Sequence, residues 1–121
     1  KLLSREIKQI KDRKIITHHQ AWPYFARRFG FTISGNIIRQ VGSEPSARHL
    51  ADLARIIKKE KIKVIVSEPQ LNQKIPKALA EDTGARLVTL TPIPGAIPGT
   101  ETYLSMIKYN VKQLIEALQD R

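Results

Sequence analysis

The stretch Lys63–Pro69 reads KVIVSEP. Its apolar residues follow one another without the polar alternation of a strand that has one face in water. A short, nearly continuous apolar run suits a strand covered on both faces, as in a parallel sheet between helices. Pro69 ends it, because proline cannot donate to a ladder. The reading therefore requires helices on either side of this strand.

The flanking sequence supplies them. Upstream, Ser46 is placed to cap a helix whose apolar stripe is Leu50, Leu53, Ala54 and Ile57. Downstream, Ile75, Ala78 and Leu79 mark a helix that Gly84 ends, and RLVTL (86–90) forms a further strand. Earlier, KIITH (14–18) is strand-like. A helical pattern then runs from Gln20 to Phe29, with Trp22, Phe25 and Phe29 on one face. Pro23 is tolerated in its first turn and Gly30 stops it. The spacing predicts a second strand from Thr32 to about Gln40. TPIPGAIPG (91–99) is a loop, Glu101 and Thr102 look like capping residues, and Leu104, Ile107, Val111, Leu114 and Leu118 stripe the last helix.

Strand and helix thus alternate. The expected fold is α/β: an open, mostly parallel four-stranded sheet with helices on both faces. Leu3, Ile7 and Ile10 give residues 1–11 the pattern of a helix end, uncapped at its start, and Asp12-Arg13 a turn. The expected division is therefore 1–11 as the tail of a longer helix and 12–121 as the α/β unit. The opening at Lys1, without a methionine, reads as a fragment or a processed form, so targeting says nothing of compartment.

The bulk composition narrows the possibilities. The chain has 121 residues, 41% of them hydrophobic, which suits one domain with a modest core. No apolar run approaches the roughly eighteen residues of a membrane span. There is no cysteine, which excludes disulfides, thiolate zinc sites and a cysteine nucleophile. The net charge of +10 raises nucleic acid as a partner. The cations cluster at Lys1, Arg5, Lys8, Lys11, Arg13 and Lys14, and again at Arg55, Lys58, Lys59, Lys61 and Lys63. Both clusters fall at helix ends or polar faces, where a solvated surface explains them.

Ligands of open α/β sheets lie beyond the carboxyl ends of the strands. That rule gathers His18 and His19, Ser67 and Glu68, and Thr91 on one edge. Successive strand residues point to opposite sides, so His18 and His19 do not readily enter one pocket. One imidazole could hold a metal through one nitrogen while an acceptor fixes the other. Glu68 could be a ligand, that acceptor, or a residue leading into the next helix. His49 has no partner at i+4 and receives no role. Enzyme readings find little support: GxGxxG, GxxxxGK[ST] and GxSxG are absent, and no second acid accompanies Glu68 at the strand ends. Trp22, Phe25 and Phe29 read as core, with Tyr24 the exposed ring.

The segment HHQAWPYFARRFG (18–30) resembles the HDAFGYFARRYG segment of metal-specific solute-binding proteins that serve ABC importers of zinc and manganese. The long run from SEPSARHL to RLVTL (43–90) is similar to that family's continuation: a Glu-Pro-Ser start to a helix, a strand ending in Glu-Pro-Gln, and a helix closing with Thr-Gly. GTETYLSMIKYNVKQLIEAL (99–118) is similar to the family's closing GDTYLDMMRHNLENLAEAL. The likeness covers nearly the whole chain in order.

The resemblance implies two α/β lobes joined by a long helix, with the metal between them. This chain matches only the carboxyl-terminal lobe and the tail of the helix. It further implies His19, not His18, as a metal ligand, two more histidines from an amino-terminal lobe of the same protein, and delivery to an ABC permease in the membrane. Where the family often carries Asp after the fourth strand, this chain has Thr91. A neutral hydroxyl is a poorer ligand for a hard cation, so a site built mainly from imidazoles leans to zinc over manganese. Glu68 would support the strand end or stand behind the imidazole. His18 and Thr91 are the alternative contributors. The implied location is periplasmic or extracellular, with a lipid anchor on the full-length parent as one form. The expected role is binding, not catalysis. The alternatives are a basic nucleic-acid-binding domain, which rests on charge alone, and adhesion to host matrix, described for some members of the family.

Overall fold

A computed structural model describes Ile10 and residues 13–38 and 44–119. Four strands, β1 (Lys14–Thr17), β2 (Thr32–Asn36), β3 (Val64–Ser67) and β4 (Arg86–Thr89), alternate with four helices, α1 (Pro23–Phe29), α2 (Ala47–Glu60), α3 (Lys74–Thr83) and α4 (Tyr103–Gln119). The strands form one sheet in the order β2-β1-β3-β4, and every pairing is parallel. This is the α/β architecture expected from the sequence. The expected helix end over 1–11 and the division at 11/12 lie outside the described residues, apart from buried Ile10.

The run KVIVS sits in the middle because its side chains serve two cores. Val64 and Val66 join Ile15, Val88, Trp22, Phe25, Val111 and Leu114 beneath α1 and α4. Ile65 joins Ile16, Leu53, Ile57 and Leu79 beneath α2 and α3. All four residues of β3 are inaccessible to solvent. Burying a branched aliphatic side chain contributes about 2 kcal/mol, so the central strand anchors both layers at once.

Several boundaries shift from the sequence reading. β2 ends at Asn36 rather than near Gln40, although Ile37 N–H still donates to Thr17 O and Ile38 N–H to His18 O. Its ladder with β1 is irregular at Ile15/Ile16, which skips Ser34 and places Gly35 opposite Ile16. A β-carbon at Gly35 would stand 2.7 Å from Leu53 Cδ2, so α2 packs directly on this backbone. α1 begins at Pro23 rather than Gln20. A tight turn, with Ala21 N–H bonded to His19 O at 2.9 Å, occupies the intervening residues, and the fixed φ of proline starts the helix. Ser46 caps α2, accepting from His49 N–H at 3.0 Å. Thr102 Oγ1 accepts from Ser105 N–H at 3.0 Å at the start of α4, whereas Glu101 accepts from Gly99 N–H and so ties the loop, not the helix.

Candidate functional site

The connection from β1 leads toward β2 and the connection from β3 leads toward β4. The crevice between the carboxyl ends of β1 and β3 is therefore the switch point at which open sheets bind ligands. The chain brings two histidines and a glutamate there.

His18 continues the ladder past β1: its N–H donates to Val66 O and its carbonyl accepts from Ile38 N–H, each at 2.8 Å. The side chain is buried and its Nδ1 shares a 2.9 Å hydrogen bond with Ser67 Oγ, its direction set by the tautomer. Burial holds this imidazole below the ordinary histidine value of 6.5, and the adjacent His19 pushes the same way. His18 is thus a neutral core residue that ties β1 to β3.

His19 points the other way, as strand alternation requires. Its side chain is 32% exposed, yet its Nδ1 is sealed and lies 2.6 Å from Glu68 Oε2. Nδ1 makes no hydrogen bond there, so the approach is a close contact between ring nitrogen and carboxylate. The open part of the ring lies away from Nδ1.

Glu68 is fully buried one residue beyond β3. A carboxylate in that position needs several donors. Trp22 Nε1 donates to Oε2 at 3.1 Å and Gln70 Nε2 donates to Oε1. Gln73 Nε2 braces the loop through the carbonyls of Glu68 and Leu71 at 2.8 and 2.7 Å. The indole of Trp22 also belongs to the core, edge-on to Phe25 at 5.5 Å. The helical pattern revealed only that packing role. Trp22, Gln70 and Gln73 gave no signal as partners of Glu68, because nothing in their spacing points to a buried carboxylate.

Thr91 reaches the same edge but joins neither histidine. Its hydroxyl donates to Ile93 O at 2.8 Å and accepts from Ile93 N–H at 3.0 Å. Its backbone N–H and carbonyl are both held by the Asn110 side chain, at 3.1 and 2.8 Å. The expected convergence therefore holds for the ends of β1 and β3 and fails for the Thr91 hydroxyl. Asn110, missed in the sequence, stands one residue before Val111 of the apolar stripe, and a buried polar residue there was the available signal. His49 Nε2 is 2.7 Å from Asn36 O, which ties α2 to the end of β2. Among the described residues no three His, Asp or Glu side chains gather to hold an ion. The arrangement offers one imidazole, steadied from behind by a buried carboxylate.

A family model described as zinc-uptake complex component A, periplasmic, matches residues 1–117. The chain belongs to this family. It is 29% identical over 117 residues to a high-affinity zinc uptake system protein ZnuA of Brucella abortus, covering 96% of this chain and 35% of that one. It is 30% identical over 111 residues to the zinc-binding protein AdcA of Streptococcus pyogenes, covering 86% of this chain and 21% of that one. The chain thus spans about a third or less of the curated relatives it matches. Among solved structures, the laminin-binding protein Lmb of Streptococcus agalactiae, titled a bifunctional protein with adhesin and metal-transporting activity, superposes with a TM-score of 0.82 at 33% identity. That match covers 97% of this chain and 46% of the other. The manganese-complexed binding protein FpvC of Pseudomonas aeruginosa shares the fold, with a TM-score of 0.75 at 22% identity over 98% of this chain and 46% of that one. The zinc-uptake family is the one to which the HHQAWPYF and SEPQ motifs pointed.

Proposed function

We propose that this zinc-uptake family chain is the carboxyl-terminal lobe of the substrate-binding component of an ABC importer for a divalent transition metal. Zinc is the leading cargo and manganese the alternative. His19 contributes one ligand through Nε2. Glu68 holds the other ring nitrogen, which fixes the ring and raises its basicity, as carboxylates do behind metal-bound histidines. The remaining ligands come from an amino-terminal lobe outside this sequence, and the cargo passes to a membrane permease. The work is capture and release, with no catalytic step, at a periplasmic or extracellular location that a lipid anchor could maintain.

The observation that carries this reading is the asymmetry of the two histidines: His18 is sealed against Ser67, while His19 is partly open with Glu68 behind it. The lean toward zinc is supported at Thr91. Its hydroxyl is already engaged by Ile93, so the fourth strand adds no hard oxygen ligand.

Zinc calorimetry on a protein carrying both lobes tests the reading. His19→Ala should weaken binding by at least about a hundredfold, since a lost ligand costs more than the 10–100-fold of a lost supporting partner. His18→Ala should lower thermal stability and leave the folded protein able to bind. Loss of binding in His18→Ala with retention in His19→Ala would reverse the assignment. The isolated chain, with a single imidazole, should bind zinc only weakly.

A further inference from the structure

Trp22 is the chain's single tryptophan, and its indole has two sets of neighbours. The residue is 3% exposed and belongs to the core with Ile15, Val64 and Val66. Its N–H leaves that core and donates at 3.1 Å to Oε2 of Glu68. The ordinary reason for such a bond is that a buried indole needs an acceptor. Any acceptor would meet that need. The one used is the same oxygen that lies 2.6 Å from Nδ1 of His19. Trp22 also stands three residues after His19, across the tight turn in which Ala21 N–H bonds to His19 O. Ligand candidate, carboxylate and indole therefore meet at one oxygen atom.

That oxygen has to be held. The terminal torsion of a glutamate is broad, so donors decide where the plane of the carboxyl group settles. Gln70 Nε2 holds Oε1, from an exposed residue in the loop after β3. Trp22 holds Oε2 from inside the core, with its ring edge-on to Phe25 at 5.5 Å. Its backbone is fixed as well. Trp22 O accepts from Ala26 N–H at 2.8 Å, and Pro23 starts α1 directly after it. Of the two supports the indole is the rigid one, and it bears on the oxygen that faces His19.

We propose that Trp22 is a positioning residue for the metal ligand. Its indole N–H pins Oε2 of Glu68 behind Nδ1 of His19, so that the imidazole keeps its proton on Nδ1 and turns Nε2 outward. The inference rests on the role of His19 proposed above and extends it one residue further into the core. It has a consequence for the loaded state. A metal ion on Nε2 draws electron density from the ring, and Nδ1–H then donates more strongly to Oε2. Two donors share that oxygen, so the indole bond weakens as the imidazole bond forms. The tryptophan thereby senses the cargo without touching it.

Nuclear magnetic resonance of the nitrogen-15-labelled chain tests this, because one tryptophan gives one indole N–H signal. Zinc added to saturation should move that signal upfield, and His19→Ala should abolish the movement. If zinc moves the His19 ring signals and leaves the indole in place, the proposal falls while the role of His19 stands. If zinc moves neither, both fall together. In a protein carrying both lobes, Trp22→Phe keeps a ring in the core and removes the donor. Zinc affinity of the folded protein should drop about tenfold, the low end for a lost supporting partner, since Trp22 acts through Glu68. Val111→Ala loosens the same core away from the carboxylate and should leave zinc affinity unchanged. Undiminished affinity in Trp22→Phe, or an equal loss in Val111→Ala, would overturn the proposal by reducing the indole to packing.

Discussion

Two buried polar clusters sit on one edge of the sheet and differ in what they leave unused. At the end of β4, Thr91 and Asn110 close on each other and on Ile93, so every polar atom there serves the chain itself. At the ends of β1 and β3, Glu68 is as deeply buried, but its partners include the partly open imidazole of His19. The same topological rule delivers both clusters to the edge. On the proposed function, only the second keeps a ligand atom in reserve. Position at a strand end is therefore necessary for a site, and unspent valence decides which strand end becomes one.

The comparison breaks most visibly at Glu68. Glu68→Ala leaves the Trp22 N–H facing a cavity without an acceptor and removes the carboxylate behind His19 Nδ1. An unsatisfied buried donor costs about 1–3 kcal/mol and the cavity adds to it, so a loss of about 3 kcal/mol is expected in urea unfolding. In a protein carrying both lobes, zinc affinity should fall in parallel by about 10–100-fold, because the ring loses its support. An unchanged urea midpoint would show that Glu68 supports neither fold nor site.

Asn110→Ala should separate the two clusters. It removes two hydrogen bonds to the backbone of Thr91 and leaves buried main-chain groups unpaired, a cost of about 2 kcal/mol. Zinc affinity of the folded protein should be unaltered. If affinity fell together with stability, the β4 end would belong to the site after all, and the distinction drawn above would collapse.

The sequence exposed these features unequally, for physical reasons. The order of strands and helices was readable because KVIVS can be satisfied only with cover on both faces, and caps such as Ser46 and Gly84 act through their immediate neighbours. The opposed directions of His18 and His19 followed from alternation alone. Partnerships across the sheet did not. Whether the Thr91 hydroxyl is free depends on the turn at Ile93, and the partners of Glu68 come from α1 and from the loop before α3. The lysines of 58–63 were visible as a charged run, which reads as a solvated surface at a helix end.

The finest distinction is between the two imidazoles, and pH can resolve it. His18 is held below its unfolded value of 6.5, chiefly by burial. Above that value the group is neutral in both states and contributes no penalty. As pH falls through 6.5, the unfolded chain takes up a proton that the folded chain resists, so the unfolded state binds more protons and stability declines. Melting of the metal-free chain between pH 8 and pH 5 should therefore show a downward slope beginning near 6.5. His18→Gln, which keeps a polar group for Ser67 but cannot titrate, should flatten that part of the slope. His19→Gln should keep most of it, because burial, the larger cause, remains when the neighbouring ring is removed. If the slope follows His19 instead, the sealed and the open histidine have been interchanged, and the contrast between the two clusters must be redrawn around His18.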